Sequence, residues 1–542
     1  MLGAATSVTQ GSAGLALGYV SVAAPMLFAM ARNGASWRRL IAAPVYALPV
    51  TLAAGAAVSG AASLGAAFGW SLGGGAMSVA AGAVTSVAVG YIAGRVLAKP
   101  TNEAAEHRRG TVVVENEPLG LVRTRQARSA PGRNAGLTLA GVPILEADET
   151  KHFKIIGTTG TGKSTAIAEI MTAALARGDR AVIADPDGGY LRRFYRKERG
   201  DVILNPFAAN SRKWDLFGEI QTPYDIEQLA RSLIPDHEGS DRSWRGYART
   251  FFTAVARRAH EAGVKEVSEL HRLLVIAEPR ELRTLLAGTA AQPFLDEHNT
   301  RMFDSIRSVT SSAVTALEYI GEQRQEPLSV REWVRGSGGE NSGGGVLFIP
   351  YQAGQIAALR SQISAWMRLS IFEAMNQPES AKRLWFVVDE LDAVGQIDGL
   401  KDALARLRKF GGRCVLGVQS VSQVSSIYNR DAHTIVENCA NSLILRSSAS
   451  EGGGTARFAS NLIGDREVLR TTHSRSRRPL ELVGVRTTSQ QVTVEAAVLP
   501  SQIEQLPDLS GYLKLASRPQ WLRVRLTPDR EATAHQEAGY EL

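Results

Sequence analysis

A glycine-rich run that ends in lysine, serine and threonine is the most chemically distinctive segment of this sequence. The run GTTGTGKST follows an apolar stretch at residues 152–156 and precedes an alanine-rich helical stretch. It matches the G-x-x-x-x-G-K-[ST] pattern, in which glycines let several backbone N–H groups point at one phosphate and the helix N-terminus attracts negative charge. Lys163 would contact the terminal phosphates, and the Ser164 hydroxyl would hold Mg²⁺. The predicted nucleotide-binding residues are Gly157, Thr158, Thr159, Gly160, Thr161, Gly162, Lys163, Ser164 and Thr165.

A pair of acidic residues follows a later apolar strand. The run LWFVV at residues 384–388 leads directly into Asp389 and Glu390. In P-loop enzymes an aspartate at this point holds the metal through its ligands, so Ser164 and Asp389 are the predicted metal-binding residues. A neighbouring glutamate can polarise the attacking water, which favours hydrolysis over transfer to another acceptor. Lys163, Asp389 and Glu390 are therefore predicted to be catalytic.

Two further polar positions have both a functional and an ordinary interpretation. Gln419 caps the apolar strand at residues 413–418, where its amide can sense the γ-phosphate; taken alone, it would be an ordinary strand end. Residues 402–409 (DALARLRK) predict a helix whose basic residues are either solvated charge or, in a ring-shaped ATPase, a source of positive charge for a neighbour's nucleotide. Arg408 belongs to this helix.

The pattern around these motifs predicts an α/β domain. From residue 152 onward, apolar strands alternate with helical stretches. The strand at residues 181–184 ends in DPDGG, which fits a ligand crevice at the sheet edge and a simple turn equally well. Residues 222–322 lack strand alternation and show helical spacing, so we expect an all-α block that interrupts the sheet. Part of this block is basic and amphipathic, and it could face DNA or a partner protein or be a structural lid. Residues 512–526 predict a hairpin.

The N-terminal region has a different composition. Residues 1–31 carry no charge, and none occurs from Leu40 to Gly94. We predict three membrane spans near residues 13–31, 41–66 and 74–94, since roughly 20 apolar residues cross the hydrocarbon core. The arginines that follow the first and third spans place those ends in the cytoplasm. The alternative is a buried helical hairpin in a soluble core.

Composition limits the remaining possibilities. The chain has 542 residues, of which 44% are hydrophobic. Its charged residues are largely absent from the N-terminal region, and this uneven distribution argues against a wholly soluble protein. Its two cysteines, Cys414 and Cys439, are too few for a disulfide framework. A formal charge of +8 permits an anionic partner such as nucleic acid or acidic lipid. The basic stretch at residues 466–486 is either a phosphate-binding cluster or a disordered surface loop.

Several motifs together resemble the type IV secretion coupling proteins of conjugation systems, of the TraD/TrwB type. The resemblance covers roughly residues 149–526 and includes GTTGTGKST, GDRAVIADPDGGYLRRFYR, DVILNPFAANSRKWDLFGEI, RLWFVVDELDAV and GRCVLGVQSVSQV. It implies a RecA-like P-loop ATPase domain with an inserted all-α domain and an N-terminal transmembrane anchor. The implied domains are the anchor (1–98), a connector (99–148), the two parts of the RecA-like domain (149–221 and 323–528), the inserted domain (222–322) and a flexible tail (529–542).

The resemblance also implies a function. The chain resembles a family of hexameric, DNA-dependent ATPases of the bacterial inner membrane. The resemblance implies ATP and Mg²⁺ as its ligands. Carried onto this sequence, Gln419 couples hydrolysis to DNA and Arg408 is the arginine finger. The implied partners are single-stranded DNA, relaxase and other relaxosome proteins, secretion-channel proteins, inner-membrane lipids and further copies in a homo-hexamer.

The anchor departs from the family pattern, which usually has two spans rather than three. Two alternative functions also remain open. One is a motor of the FtsK/HerA kind, which moves duplex DNA or acts in pilus assembly. The other is a membrane receptor that uses nucleotide as a switch to dock protein cargo.

Overall fold

The structure is a computed structural model, and its contacts divide the chain into two units. One unit contains Met1–Arg109 with Glu467–Glu495, and the other contains Gly110–Arg466 with Ala496–Leu542. The described residues are 2–32, 35, 37–67, 75–97, 106–115, 136–236, 241–336, 345–379, 383–450, 453–476 and 485–528. The predicted tail at 529–542 lies outside them.

The regular elements follow the chain in this order. The helices are α1 (Leu2–Arg32), α2 (Trp37–Ala67), α3 (Gly75–Leu97), α4 (Glu146–Glu149), α5 (Lys163–Ala176), α6 (Gly189–Phe194), α7 (Pro223–Leu233), α8 (Arg242–Glu261), α9 (Val267–His271), α10 (Pro279–Leu285), α11 (Thr300–Val314), α12 (Ala316–Glu322), α13 (Val330–Arg335), α14 (Ile356–Asn376), α15 (Leu400–Arg406), α16 (Val421–Tyr428), α17 (Asp431–Asn438), α18 (Gly454–Ile463) and α19 (Pro500–Glu504). The strands are β1 (Glu106–Gly110), β2 (Val113–Glu115), β3 (Thr138–Leu139), β4 (Val142–Pro143), β5 (Phe153–Ile156), β6 (Arg180–Pro186), β7 (Val202–Ile203), β8 (Lys213–Trp214), β9 (Pro327–Leu328), β10 (Val346–Tyr351), β11 (Leu384–Val388), β12 (Gly412–Val418), β13 (Asn441–Leu445), β14 (Asp465–Ser476), β15 (Val485–Ala496), β16 (Ser510–Lys514) and β17 (Trp521–Arg525).

Helices α1, α2 and α3 occupy the positions of the three predicted spans. Two glycines of α3 lie against the backbone of α1, because a Cβ at Gly90 would overlap the carbonyl oxygen of Val22 and one at Gly94 would overlap that of Met26. Small residues allow helices to approach this closely. The buried cluster that contains Met26 also includes Ala43 of α2, so the three N-terminal helices pack as one bundle.

The membrane prediction itself is not shown by these helices. Within the described residues, no helix offers a stretch that is long and apolar enough to cross a membrane. Parts of all three predicted spans fall on residues whose side chains are not described, namely 13–15, 56–66 and 74–81.

Strands β1, β14 and β15 form a separate sheet in the order β1-β14-β15. Glu467 of β14 forms ion pairs with Arg108, across 3.5 Å, and with Arg109 of β1. The basic stretch at residues 466–486 is therefore strand wherever it is described, and the disordered-loop alternative is wrong for those residues. Residues 477–484 lie outside the described part of the chain.

The second unit is built on a large, mostly parallel sheet. Its strand order is β2-β17-β16-β13-β5-β12-β11-β6-β10-β7. The strands from β13 to β7 are parallel, and β16 pairs antiparallel with both β13 and β17. Every residue of β5, β11 and β12 is buried, as expected for a parallel sheet covered on both faces. The predicted hairpin is confirmed as β16 and β17.

Helices α7 to α12 lie in the chain between β8 and β9. Because β8 and β9 pair in parallel, with Trp214 opposite Leu328, this helical block leaves and re-enters the sheet domain at one place. Inside the block, Phe251 of α8 meets Phe303 of α11 edge to face, with ring centroids 5.3 Å apart. The helical block is therefore an insertion in the chain, and β7 before it and β10 after it are still neighbours in the large sheet.

A buried carboxylate fixes the base of this insertion. Glu219 is fully buried and accepts hydrogen bonds from the Trp214 indole at 2.9 Å, the Ser329 hydroxyl at 3.1 Å, and the backbone N–H groups of Val330 at 2.6 Å and Arg331 at 3.1 Å. The bonds to residues 330 and 331 satisfy the free N–H groups at the start of α13. The WDLFGE segment therefore joins the chain before the insertion to the chain after it.

The predicted connector at residues 99–148 extends too far along the chain. Leu137, Leu139, Val142 and Ile144 are buried and belong to the core that contains β5 and α5. The Glu169 carboxylate of α5 also binds this segment, because it accepts hydrogen bonds from the backbone N–H groups of residues 140 and 141. Packing therefore begins about a dozen residues before the predicted boundary.

Candidate active site

The parallel strands bring the predicted functional segments to one edge of the sheet. Strands β5, β12, β11, β6 and β10 are successive neighbours, and all run in the same direction. Their carboxyl ends therefore form a common crevice, the usual ligand-binding position in open α/β sheets. The edge carries the loop 157–165 after β5, Gln419 after β12, Asp389 and Glu390 after β11, Asp185 in β6 and Tyr351 in β10.

The loop between β5 and α5 has the backbone geometry that its glycines predict. Gly160 and Gly162 have φ values of 77° and 113°, which L side chains rarely adopt. The Lys163 ammonium donates hydrogen bonds to the carbonyl oxygens of Gly157 at 2.8 Å and Thr158 at 3.2 Å. Burial lowers the pKa of Lys163, and the nearby acidic groups oppose that shift. Without a nucleotide, the lysine is therefore held by the carbonyl groups of the same loop in which it would bind phosphate.

Neighbouring segments fix the rest of this loop. Thr158 donates from its N–H at 2.9 Å and from its hydroxyl at 3.2 Å to the carbonyl of Arg446. Thr161 donates from its hydroxyl to the Thr158 carbonyl at 2.7 Å, and its own carbonyl accepts the Leu509 N–H at 3.0 Å. Thr165 lies half-buried in the first turn of α5. These bonds preorganise the loop before a ligand binds.

Asp389 is the centre of the site. One oxygen of its carboxylate, Oδ2, accepts hydrogen bonds from the Ser164 hydroxyl at 2.6 Å and from the Tyr190 hydroxyl at 2.7 Å. Its other oxygen, Oδ1, is buried and has no hydrogen-bond partner among the described residues. The side chain is only 3% exposed, so an unpaired oxygen here is costly unless a ligand satisfies it.

These groups fit a magnesium ion. Mg²⁺ is usually held by one or two protein oxygens together with substrate phosphates and waters. Ser164 and Asp389 would supply that small ligand set, with Asp389 Oδ1 the free carboxylate oxygen. The described residues contain no group of three or more His, Cys, Asp or Glu side chains that could hold a metal without a substrate.

Glu390 is the neighbouring carboxylate, and it is half-buried. Burial raises its pKa above the ordinary value, the charges of Asp389 and Asp392 raise it further, and Lys163 opposes them. A carboxylate with a raised pKa is a better proton acceptor than an ordinary glutamate at neutral pH. The environment of Glu390 therefore suits a general base.

Gln419 contacts the glycine-rich loop directly. Its side-chain N–H donates to the Thr159 hydroxyl at 2.6 Å. Two positions earlier, Gly417 lies so close to β11 that a Cβ there would overlap the carbonyl oxygen of Asp389. The end of β12 thus touches both the loop and the acidic strand end.

Arg408 is not part of this cluster. It lies in the turn 407–410 after α15, and its side chain is exposed. Among the described residues, its guanidinium makes neither an ion pair nor a hydrogen bond. The structure therefore brings together Lys163, Ser164, Asp389, Glu390 and Gln419 and leaves Arg408 outside.

The role of the residues at the end of β6 and just after it was not predicted from the sequence. Asp185 is fully buried and accepts the N–H groups of Tyr190 at 3.0 Å and Leu191 at 2.6 Å, while burial raises its pKa to about 7. Of the two interpretations of the DPDGG run, these bonds match a turn that starts a helix. Tyr190 was not predicted because a single tyrosine forms no recognisable sequence motif. The only signal in the sequence was its position directly after the DPDGG run.

A family model and a curated relative match this chain. The model described as the type IV secretion-system coupling protein DNA-binding domain matches residues 136–527. The coupling protein TraD of Escherichia coli (strain K12) is 32% identical over 387 residues, which cover 71% of this chain and 53% of TraD. The chain thus spans about half the length of the curated relative it matches.

Solved structures give a consistent result. The bacterial conjugative coupling protein TrwBdeltaN70 in its unbound monoclinic form has a TM-score of 0.68 and 30% identity, and the match covers 80% of this chain and 96% of that chain. TrwB in complex with ADP and Mg²⁺ has a TM-score of 0.66 and 30% identity, with the same coverage. TrwB with the non-hydrolysable ATP analogue ADPNP has a TM-score of 0.66 and 30% identity, and the match covers 78% of this chain and 95% of that chain.

Proposed function

This chain belongs to the family of type IV secretion-system coupling proteins, and from that premise we propose that it is an inner-membrane, DNA-dependent ATPase. It would use ATP and Mg²⁺ to pass relaxase-bound single-stranded DNA to a type IV secretion channel during bacterial conjugation. The observation that carries the proposal is the bond between Ser164 and Asp389, which unites a phosphate-binding loop with a carboxylate whose second oxygen is free. The solved complex of TrwB with ADP and Mg²⁺ supports the choice of ligands.

In the proposed reaction, each residue of the site has one task. Lys163 exchanges the carbonyls of Gly157 and Thr158 for the terminal phosphates, and the N–H groups of the loop bind the same phosphates. Ser164 and Asp389 would hold Mg²⁺, which would neutralise negative charge on the phosphates. Glu390 orients the attacking water and accepts its proton, and its raised pKa favours that step.

Two residues would link hydrolysis to the ring and to DNA. Gln419 bonds to Thr159 of the loop, so loss of the γ-phosphate can shift the segment after β12. Arg408 is exposed and free to reach a neighbouring subunit, where it would act as the arginine finger of a homo-hexamer. A motor that handles any sequence should grip the DNA backbone rather than the bases.

The remaining assignments concern architecture and partners. The charge-free stretch from Leu40 to Gly94 and the bundle of α1 to α3 support a three-span anchor in contact with inner-membrane lipids and channel proteins. A RecA-like domain would be formed by residues 149–221 and 323–528 together with the segment that begins at Leu137, which packs in the same core. The inserted block at 222–322 would meet the relaxase and other relaxosome proteins on the cytoplasmic side.

The test is ATP hydrolysis by the full chain in lipid nanodiscs, with single-stranded DNA, duplex DNA or no DNA. We expect single strands to stimulate hydrolysis and Lys163→Ala to abolish it. Lys197→Ala removes an exposed lysine away from the site and should behave as wild type. Stimulation by duplex alone would favour a motor of the FtsK/HerA kind. Slow hydrolysis that is indifferent to any DNA would favour a nucleotide-switched receptor for protein cargo.

A further inference from the structure

A tyrosine outside the nucleotide-binding loop holds the carboxylate that would bind the metal. Tyr190 is 4% exposed, and its hydroxyl donates to Asp389 Oδ2 at 2.7 Å. We propose that Tyr190 is a positioning residue for Mg²⁺, because it fixes the orientation of Asp389 and leaves Oδ1 as the free oxygen. The inference rests on the proposed function, since it concerns the metal of the same site.

The two donors to Oδ2 have different origins. Ser164 belongs to the loop that binds phosphate and is itself exposed. Tyr190 comes from the start of α6, an element that contributes no ligand to the nucleotide in this proposal. The tyrosine therefore orients the carboxylate whether or not the loop is loaded. Its hydroxyl also donates without adding a positive charge, so it does not repel the metal as a lysine or arginine would.

The position of Tyr190 is itself fixed. Its backbone N–H and that of Leu191 are bound by the two oxygens of the buried Asp185. The turn before it passes through Asp187 and Gly188, both with positive φ. Buried hydrogen bonds therefore connect Asp185 to the start of α6 and Tyr190 to Asp389. Outer-shell partners of this kind typically change metal affinity by about 10- to 100-fold when they are removed.

The test compares metal binding with nucleotide binding. The full chain and its Tyr190→Phe variant, each with a non-hydrolysable ATP analogue, are titrated with Mn²⁺ and followed by electron paramagnetic resonance. We expect the Mn²⁺ dissociation constant to rise about tenfold in the variant. Binding of a fluorescent ATP analogue in the presence of EDTA should stay unchanged, since the phosphate-binding loop is intact. Equal Mn²⁺ affinity in the two proteins would overturn the inference.

Tyr428→Phe is the matched control. Tyr428 is 5% exposed, and its hydroxyl bonds away from the metal-binding carboxylate: it accepts the Ile397 N–H at 3.1 Å and donates to the Gly395 carbonyl at 3.3 Å. This variant should bind Mn²⁺ as wild type does. If it weakens Mn²⁺ binding as much as Tyr190→Phe, the effect does not come from the bond to Asp389 and the inference is wrong. Wild-type protein that binds neither the nucleotide nor Mn²⁺ would instead refute the proposed function.

Discussion

The Ser164 hydroxyl donates a 2.6 Å hydrogen bond to the Asp389 carboxylate although 225 positions separate the two residues in the chain. The strand order explains this contact. β12 lies between β5 and β11 and pairs in parallel with both, so the segments that follow β5 and β11 emerge on either side of one strand. The space between those segments is set by the side chains at the end of β12, where the sequence has glycine.

The first prediction concerns that glycine. Gly417→Ala should lower the free energy of unfolding by about 1–3 kcal/mol, because the new methyl group overlaps the Asp389 carbonyl in a packed sheet. The displaced strand end should also weaken binding of Mg²⁺ with nucleotide. Urea unfolding and Mn²⁺ titration would measure the two effects. Gly354→Ala, whose added methyl meets no atom within 4 Å, should change neither quantity, and similar behaviour of the two variants would contradict the packing argument.

The second prediction concerns pH. As a general base, Glu390 must be ionised, so hydrolysis should fall as the pH drops through its raised pKa. The negative charge of Asp392 contributes to that rise. Asp392→Asn should therefore lower the pKa of Glu390 and move the acidic limb of the kcat/KM profile to lower pH.

The matched control for this prediction is Asp402→Asn. Asp402 is an exposed acid of α15 that does not contribute to the raised pKa of Glu390. It should leave the acidic limb where it is in wild type. Glu390→Gln should lose hydrolysis at every pH while it still binds nucleotide. An acidic limb that does not move in Asp392→Asn would remove Glu390 from the role of base.

The main elements of the sheet were predictable because strong local patterns specify them. Buried parallel strands appear as continuous apolar runs, and the runs at β5, β11 and β12 each end in polar residues at a known point. The glycine-rich loop is fixed by backbone geometry that only glycine adopts easily, so its pattern survives in the sequence. Side chains at neighbouring strand ends then follow from sheet topology.

Other features depend on contacts that leave no local pattern. Residues 136–149 alternate apolar with polar and glycine positions, and only packing against α5 shows that they belong to the core. Tyr190 acts through one hydroxyl whose partner lies 199 positions away. The strands in 466–486 were obscured by their positive charge, which is partly compensated where Arg470 of β14 pairs with Glu495 of β15 across 2.6 Å.

The third prediction concerns a buried histidine just before β5, at the end of that strand opposite to the site. Burial lowers the pKa of His152 to about 4, so the ring is neutral in the folded state. Its Nδ1 accepts the Cys414 N–H at 3.1 Å, which leaves Nε2 protonated to donate to the Leu404 carbonyl at 3.0 Å. The unfolded chain binds this proton near pH 6.5, whereas the folded chain does not until about pH 4. Stability should therefore fall by about 2 kcal/mol between pH 7 and pH 5 from this residue alone.

Urea unfolding at several pH values would measure this effect. His152→Asn tolerates the positive φ of the position and cannot titrate, so its stability should be lower at pH 7 but less dependent on pH. His433→Asn, which changes an exposed histidine, should keep the wild-type pH dependence. An unaltered slope in His152→Asn would mean that other groups cause the loss.

The last prediction tests whether Arg408 acts across a subunit boundary. Arg408→Ala and Lys163→Ala should each abolish hydrolysis, because each removes one half of every composite site. In mixed rings, however, a Lys163→Ala subunit still offers its arginine to the intact loop of an Arg408→Ala neighbour. Mixing the two inactive proteins should therefore restore a fraction of DNA-stimulated hydrolysis that depends on their ratio. Arg406→Ala, which changes the nearby exposed arginine of α15, should remain active alone. Only an arginine that a neighbouring subunit supplies can be complemented in this way. If the mixture stays inactive at every ratio although the subunits exchange, Arg408 acts in the same subunit as the nucleotide or takes no part in the reaction.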